Sequence, residues 1–213
     1  MINEELLCEM TAPGKITAVC GRPAMGKTGF AVDFVRRSSL NTAFFTFDLS
    51  GEQIKERFEK LGDVPENLEI IDCKAGDLEK RLKYLEDIQL VVIDYLQLCC
   101  DGKGDNFLKR LKKQAEKKGF AVLILSQLSR AIESRRNPVP RLTDIHQEYV
   151  IDDADNILLL YREAYYDYTA PRDRATIIVA KHSPYTIETK WDDKGKTWGL
   201  CPKAQNLDGA ESN

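Results

Sequence analysis

The feature that most constrains the fold of this chain is one contiguous loop, Gly21-Arg22-Pro23-Ala24-Met25-Gly26-Lys27-Thr28. It matches the phosphate-binding pattern G-x-x-x-x-G-K-[ST] at every specified position. The apolar residues 16–20 precede it as a strand pattern, and a helical pattern with Phe30 and Phe34 on one face follows it. Strand, loop and helix in this order are the context that the motif requires, so the sequence predicts a nucleotide-binding α/β domain.

The residue types of this loop suit a nucleotide phosphate. Glycines let backbone N–H groups turn inward around phosphate oxygens, and a helix that begins near Lys27 adds its own free N–H groups and positive dipole end. Lys27 is expected to reach the β- and γ-phosphates of ATP, and the Thr28 hydroxyl to ligate Mg²⁺. The sequence therefore predicts ATP and Mg²⁺ as cofactors, with residues 21–28 as the cofactor-binding set. The alternative is a glycine turn before an ordinary helix.

Length and charge bound the remaining possibilities. The 213 residues are enough for one α/β domain with a substantial core. The formal net charge is −3, so no global basic field draws the chain to nucleic acid, and any DNA contact requires a local patch.

Cysteine usage and hydropathy indicate the compartment. The six cysteines form no C-x-x-C pair, which favours reduced thiols over a disulfide or zinc site. The first ten residues are acidic and unlike a signal peptide. No apolar run approaches the roughly 20 residues that span a bilayer. We therefore expect a cytoplasmic protein with no membrane partner.

Strand and helix patterns alternate through the first two thirds of the chain. Strand patterns lie at residues 41–48, 67–73, 89–94 and 120–126, and helical patterns at 51–61, 78–88 and 105–118. Ser50 and Gln53 form a capping box at the start of one of these helices. This alternation predicts a mostly parallel, twisted sheet flanked by helices.

The last third departs from that pattern. Residues 127–150 form a long irregular stretch that contains Arg130, Arg135, Arg136 and Arg141, and such stretches inside a compact domain are usually functional or mobile. These four arginines are candidate DNA contacts, and a solvated loop is the alternative.

The chain then returns to strand patterns, at residues 156–161, 175–180, 186–191 and 197–200. A turn at residues 192–195 predicts that the last two patterns form a C-terminal antiparallel hairpin. We expect one domain at residues 1–202 and a disordered polar tail at 203–213.

Polar residues at strand ends complete the candidate catalytic set of Lys27, Asp48, Asp94 and Gln127. Asp94 follows four apolar residues, where nucleotide enzymes place the acid of the Mg²⁺ shell, so Thr28 and Asp94 are the candidate metal residues. Asp48 stands where ATPases of the RecA type orient the attacking water, and a capping or solvated role is the alternative. Gln127 can sense the γ-phosphate or simply begin a loop.

The order of these motifs resembles the C-terminal ATPase domain of DnaB-type replicative helicases. The matching stretches are residues 21–28, 47–53, 92–98, 125–130, 153–155, 160–163 and 177–181. The run Ile93-Asp94-Tyr95-Leu96-Gln97-Leu98 is far more specific than a phosphate loop. The resemblance implies a RecA-like P-loop NTPase fold, use of ATP and Mg²⁺, and a role near DNA replication.

This sequence departs from the family pattern in four places, one of which is the stretch at residues 144–150, shorter and less basic than the family's corresponding region. Asp48 stands where the family has Glu, which draws the carboxylate back by about a bond length, and a misplacement of about 1 Å can cost on the order of 100-fold in rate. Lys181-His182-Ser183 lacks the family's arginine finger, for which Arg172 and Arg174 are the candidate replacements. Few residues precede the ATPase core, so we expect the family's separate N-terminal domain to be missing.

The leading interpretation is a DnaB-like ATP-binding or ATPase domain associated with DNA replication, a helicase or helicase-like motor with weakened hydrolysis. The alternative is an ATP-gated adaptor that does not unwind DNA. A third interpretation, a small-molecule kinase, is weakened because the sequence lacks a segment that could form a lid over an acceptor site. The candidate partners are ATP, single-stranded DNA, replication proteins and further copies of the chain.

Overall fold

The computed structural model describes residues 2–74, 76–99, 106–181 and 184–200. Its strands are β1 Ile16–Gly21, β2 Thr42–Thr46, β3 Leu68–Asp72, β4 Leu90–Asp94, β5 Ala121–Gln127, β6 Asn156–Tyr161, β7 Arg174–Val179 and β8 Tyr185–Lys190. All eight join one sheet in the order β3-β2-β4-β5-β1-β6-β7-β8. Pairings from β3 to β6 are parallel, whereas β6–β7 and β7–β8 are antiparallel.

Helices cover both faces of this sheet. They are α1 Glu4–Thr11, α2 Lys27–Ser38, α3 Gly51–Glu59, α4 Leu78–Lys83, α5 Leu96–Cys99, α6 Phe107–Lys118 and α7 Glu148–Asp153. Side chains of one strand alternate between the faces: in β4, Val91 and Ile93 pack with α4 and α6, and Leu90 and Val92 pack with α2 and α3. Two covered faces explain why the central strands are continuously apolar.

The predicted mostly parallel sheet with an antiparallel C-terminal end is confirmed, but the predicted hairpin members are wrong. The hairpin is β7 with β8, in which Ile177 lies opposite Ile187. Residues 197–200 form no strand and contribute a single bridge between Asp192 and Thr197. Their apolar side chains Trp198 and Leu200 are buried in the cluster that contains α2, so the segment turns back onto that helix instead of extending the sheet.

Two further elements end earlier than the sequence predicts. α4 ends at Lys83 rather than continuing to residue 88, because the Lys118 ammonium donates to the carbonyls of Lys83 and Leu85 that a longer helix would use. β2 ends at Thr46, so Asp48 lies in a bend two residues beyond the strand.

The stretch at residues 127–150 is more regular than predicted. It contains 3-10 turns at Arg130–Ser134 and Leu142–Asp144 and leads into α7. At the other end of the chain, α1 was not predicted: the Asn3 side chain accepts from the Leu6 N–H at 2.9 Å, and the helix buries Leu6 and Met10.

The tail predicted at residues 203–213 lies outside the described residues. Within the described part of the chain, no helix is both long and apolar enough to cross a bilayer.

Candidate nucleotide site

The phosphate loop connects β1 to α2 at the carboxyl edge of the parallel strands, where open α/β sheets bind their ligands. Gly26 precedes α2 with φ +100°, a left-handed conformation that glycine adopts without a steric penalty. Ala24 also has a positive φ, of 59°, and the Met25 N–H donates to the Arg22 carbonyl at 3.1 Å. The loop is therefore a tight turn that opens directly onto the free N–H groups of a helix.

Lys27 is a half-buried cation held by its own loop. Its ammonium donates to the carbonyls of Gly21 at 3.1 Å and Arg22 at 3.2 Å. Burial lowers the pKa of Lys27, and the nearby Asp94 carboxylate opposes that shift. Neutral carbonyls compensate a buried charge only in part, so phosphate oxygens at this position would bind Lys27 strongly.

Thr28 and Asp94 meet at the base of the loop. The Thr28 hydroxyl donates to Asp94 Oδ2 at 2.7 Å, and burial raises the pKa of Asp94 although the Thr28 hydrogen bond and Lys27 oppose it. A hydroxyl and a carboxylate are the hard oxygen ligands that suit Mg²⁺, which usually binds one or two protein groups and keeps several waters. The pair therefore fits a Mg²⁺ site. No cluster of three or more metal-ligating side chains occurs in the parts of the chain that the structure describes.

Asp48 and Gln127 lie in the same cleft as the loop. The cleft has a volume of about 790 Å³, and its lining includes Lys27, Thr28, Asp48, Asp94 and Gln127. Asp48 is exposed, and Gln127, at the end of β5, is half-buried. The structure thus brings all four candidate catalytic residues together with the candidate metal pair.

Gln97 fixes the strand end that carries Gln127. Its Oε1 accepts from the Gln127 N–H at 3.2 Å, and its Nε2 lies 3.0 Å from Ser126 Oγ and 3.1 Å from Gln147 Oε1. The sequence predicted Gln97 only as part of a family match, because no local pattern shows that its amide joins β5 to the segment before α7.

Two loop side chains turn away from the cleft. Arg22 is 4% exposed, pairs with Glu133 at 2.6 Å and donates to the Leu128 carbonyl at 2.8 Å. Met25 is buried in the apolar core. The sequence grouped all of residues 21–28 as cofactor-binding, but the Arg22 and Met25 side chains anchor the loop, and only their backbone is available to a phosphate.

The sequence missed the other side of the cleft. The Arg162 guanidinium lies 3.9 Å from the centroid of the Trp191 ring, a cation–π arrangement. Burial lowers the pKa of Arg162, and its Nη1 donates to the Ala24 carbonyl at 3.4 Å. Tyr165 and Lys196 also line the cleft. These residues are distant from the loop in sequence. Arg162 was predicted only as part of the family match at residues 160–163, and Tyr165, Trp191 and Lys196 belong to no matching stretch.

Residues 191–200 pack directly on the loop and on α2. The Trp198 Nε1–H donates to the Gly26 carbonyl at 2.9 Å, and its backbone N–H donates to Asp33 Oδ2 at 2.6 Å. The Thr197 hydroxyl donates to the same Asp33 oxygen. Burial raises the pKa of Asp33, and these hydrogen bonds oppose that shift.

This packing explains why glycine occupies two positions at the start of α2. A Cβ at Gly26 would lie 2.5 Å from the Trp191 ring, and a Cβ at Gly29 would overlap the Lys196 carbonyl. Gly26 belongs to the phosphate-loop pattern, whereas Gly29 does not. The first helix of the site is therefore shaped by the C-terminal segment as well as by the nucleotide.

The four candidate DNA-contacting arginines have different surroundings. Arg135 forms two hydrogen bonds to Asp144, at 3.0 and 2.9 Å, and donates to the Val139 carbonyl at 2.8 Å. Arg130, Arg136 and Arg141 are exposed. Arg135 thus holds the segment together, and three of the four are presented to solvent.

The arginines considered as replacements for the finger do not line the cleft. Arg174 is the first residue of β7, Arg172 lies just before that strand, and both are exposed. His182 and Ser183 lie outside the described residues. The Lys181 ammonium donates to the carbonyls of Ile151, at 2.9 Å, and Ala154, so it caps the end of α7 within its own chain.

Comparison with solved structures defines the class of protein. The chain superposes on a solved ATPase domain with a TM-score of 0.76 at 21% identity, covering 91% of this chain and 88% of that one. A DnaB-like replicative helicase, solved in a study of its interactions with primase, gives 0.75 at 22% identity, covering 91% and 60%. The RadB recombinase gives 0.61 at 19%, covering 86% and 90%. The fold is that of a RecA-like ATPase domain.

Sequence comparison identifies the family. Residues 63–190 match the DnaB-like helicase C terminal domain, and the chain belongs to that family. It is 30% identical to the replicative DNA helicase DnaB of Leifsonia xyli over 80% of this chain and 48% of the relative. It is 32% identical to a probable plasmid replicative DNA helicase of Chlamydia psittaci over 79% and 47%. The chain spans about half the length of these curated relatives.

Proposed function

We propose that this chain binds and hydrolyses ATP with Mg²⁺ as the motor domain of a replicative DNA helicase. The observation that carries this proposal is the contact between Thr28 and Asp94 at 2.7 Å, beside the half-buried Lys27 and in one cleft with Asp48 and Gln127. Phosphoryl transfer to water needs three kinds of group: a cation that binds phosphate, oxygen ligands for Mg²⁺ and a carboxylate that contacts the attacking water.

Each residue then has a defined task. Lys27 exchanges its two loop carbonyls for phosphate oxygens. Thr28 and Asp94 would hold Mg²⁺, which would neutralise charge on the phosphoryl group. Asp48 orients the attacking water from a bend rather than from a strand. Gln127 responds to the γ-phosphate, and because its backbone is hydrogen-bonded to Gln97, its position is fixed relative to the segment that follows.

We propose that Arg130, Arg136 and Arg141 contact single-stranded DNA. They are exposed and lie on the segment between β5 and α7, whose first turn is tied to the phosphate loop by the pair of Arg22 with Glu133. Arginine contacts to phosphate release counterions and weaken as salt rises. Arg135 keeps its structural pairing with Asp144.

An ATP-gated adaptor is the second candidate function. Two observations favour it. The Asp48 side chain is one methylene shorter than the glutamate of the family. The Lys181 ammonium donates to carbonyls at the end of α7 in its own chain, so it is not available to a nucleotide on another copy. Both predict slow hydrolysis, because a misplaced water and unneutralised charge in the transition state each raise the barrier.

One experiment separates these functions. ATP turnover is measured with and without single-stranded DNA, and the same samples are passed through a sizing column. A motor is expected to assemble into oligomers and to hydrolyse ATP faster when DNA is added. An adaptor is expected to bind ATP with slow, DNA-independent turnover. A chain that binds no nucleotide contradicts both proposals.

A further inference from the structure

The outer sides of α4 and α6 carry an unusual concentration of positive charge. These two helices contain nine basic and two acidic residues, although the whole chain has a formal net charge of −3. Three of the nine are used internally. Arg110 pairs with Glu79 at 2.6 Å, Lys112 pairs with Asp155 at 2.5 Å, and Lys118 donates to the carbonyls of Lys83 and Leu85.

These internal contacts fix the two helices side by side. Glu79 lies in the first turn of α4 and Lys83 in its last, and they are bound to Arg110 and Lys118, near the two ends of α6. The charges that remain are therefore displayed on a surface of defined geometry.

The remaining six basic side chains define what we call the basic face. They are Lys80, Arg81, Lys83, Lys109, Lys113 and Lys117, all exposed. None of the six side chains forms a hydrogen bond or ion pair with another residue that the structure describes. Lys109, Lys113 and Lys117 recur every four residues, so they form one stripe about 12 Å long on α6.

An aromatic ring stands beside this charge. Tyr84 follows Lys83 directly at the end of α4 and is 76% exposed, among the most exposed large side chains of the described residues. Cationic side chains that track a phosphate backbone, interleaved with aromatic rings on which bases stack, are the composition of surfaces that bind single strands.

We propose that the basic face and Tyr84 bind single-stranded nucleic acid, with the lysine stripe on the phosphates and an unpaired base on the Tyr84 ring. A protein partner fits less well, because protein interfaces are depleted of lysine and centre on buried apolar anchors. A duplex would satisfy the lysines but would leave the ring without a base to stack on.

This surface is distinct from the site of the proposed ATPase activity. α4 and α6 pack on the face of the sheet opposite α2 and the C-terminal segment, and none of their residues lines the nucleotide cleft. The basic face also shares no residue with the arginines at 130, 136 and 141. Binding at this surface therefore requires no nucleotide.

The test measures fluorescence anisotropy of a labelled oligothymidylate of about 16 nucleotides, without ATP or Mg²⁺, over a series of salt concentrations. Lys109→Glu, Lys113→Glu and Lys117→Glu are combined. We expect affinity at low salt to fall at least tenfold and the salt slope to fall by about two, since each phosphate contact to a single strand contributes about 0.7.

The matched control reverses three exposed lysines elsewhere, Lys55→Glu, Lys60→Glu and Lys190→Glu, which changes the net charge equally. We expect it to retain most of the binding. Equal loss in the control would attribute binding to net charge and overturn the proposal, as would wild-type binding too weak to detect at low salt. Replacing the same three stripe lysines by glutamine removes their charge without adding repulsion. This variant should also bind the oligonucleotide more weakly than the wild type.

Tyr84 distinguishes a single strand from other ligands. Tyr84→Ala should weaken oligothymidylate binding about fivefold or more and leave duplex binding unchanged, whereas Tyr84→Phe keeps the ring and should bind as wild type. Equal effects of Tyr84→Ala on both ligands would reject the stacking role.

If reversing Arg130, Arg136 and Arg141 alone removed all binding, the basic face would not be a contact surface. Nucleotide binding, followed by tryptophan fluorescence, should be unaltered in the basic-face variants, so failure here is separable from failure of the ATPase proposal.

Discussion

The two sides of the nucleotide cleft are built in different ways. One side, the phosphate wall, consists of the loop at residues 21–28 with Asp94, and it is held by short polar contacts such as Thr28 to Asp94 at 2.7 Å. The other, the C-terminal wall, consists of Arg162 and residues 191–200, and it is held by ring packing and the buried Asp33 carboxylate. Phosphate chemistry and cleft shape are therefore specified by separate parts of the chain.

A substitution in the phosphate wall should reduce ATP turnover most strongly. Asp94→Asn keeps the size of the side chain but removes the charge that the metal requires. We expect ATP turnover to fall about 10- to 100-fold, the range typical of residues that orient a metal shell. Turnover is measured over a series of Mg²⁺ concentrations, and excess Mg²⁺ should restore part of it.

Asp72→Asn is the matched control for this change. Asp72 also ends a parallel strand, β3, but it accepts from the Gly51 N–H at 2.8 Å and lies outside the cleft. Its substitution should leave turnover unchanged. Equal losses in both variants would mean that strand-end carboxylates support the fold rather than the metal.

Asp48, which lines the same cleft as the phosphate wall, stands where the family has Glu. Asp48→Glu extends the exposed carboxylate by one methylene toward the water that it is proposed to orient. We expect turnover to rise at least tenfold, because a misplacement of about 1 Å costs on the order of 100-fold. A single-turnover measurement checks this without interference from product release, and an unchanged rate would remove Asp48 from the catalytic set.

The C-terminal wall is tested through stability. Gly29→Ala would place a methyl group against the Lys196 carbonyl. Alanine is the better helix former, yet we expect the free energy of unfolding in urea to fall by about 1–3 kcal/mol, the usual cost of overpacking. Gly51→Ala, at the start of α3, is the control, since its closest contact would be the far end of the Asp72 side chain. A more stable Gly29→Ala protein would show that residues 191–200 do not pack on α2 in solution.

Arg162 tests whether this wall also contributes to nucleotide binding. Arg162→Ala removes a cation from the lining of the cleft. We expect ATP affinity to fall about tenfold, because a hydrogen bond to a charged group contributes about 1.5–3 kcal/mol. Arg172→Ala, an exposed arginine outside the cleft, should have no effect. Equal affinities for wild type and Arg162→Ala would restrict the binding site to the phosphate wall.

The two walls also differ in how far the sequence predicts them. The phosphate loop, the strand before it and Asp94 follow from contiguous patterns, because their contacts join residues whose spacing the motif fixes. Residues 197–200 have the apolar content of a strand, and only the tertiary contacts of Trp198 with Asp33 and Gly26 place them on a helix. Gly29 carries no local signal, and Arg162 was marked only by the family match at residues 160–163, since the groups that they contact lie far away in the chain.

The strand ends show the same limit at a smaller scale. The apolar run that ends in Asp94 predicts the end of β4 to the residue, whereas the run that reaches Asp48 overshoots β2 by two residues, because Phe47 and Asp48 are pulled into a bend before the capped α3. Arg135 was grouped with its neighbours by charge, and only its pairing with Asp144 distinguishes it.

A titration of ATP with Mg²⁺, followed by tryptophan fluorescence, tests most directly whether residues 21–28 are the ATP site. Trp191 and Trp198 are the two tryptophans of the chain, and both rings pack against the loop glycine Gly26. The wild type, and Lys15→Ala at the opposite end of β1, should give a saturable change, whereas Lys27→Ala should give none at the same concentrations. Binding by Lys27→Ala as tight as that of the wild type would contradict the assignment of the phosphate loop as the ATP site.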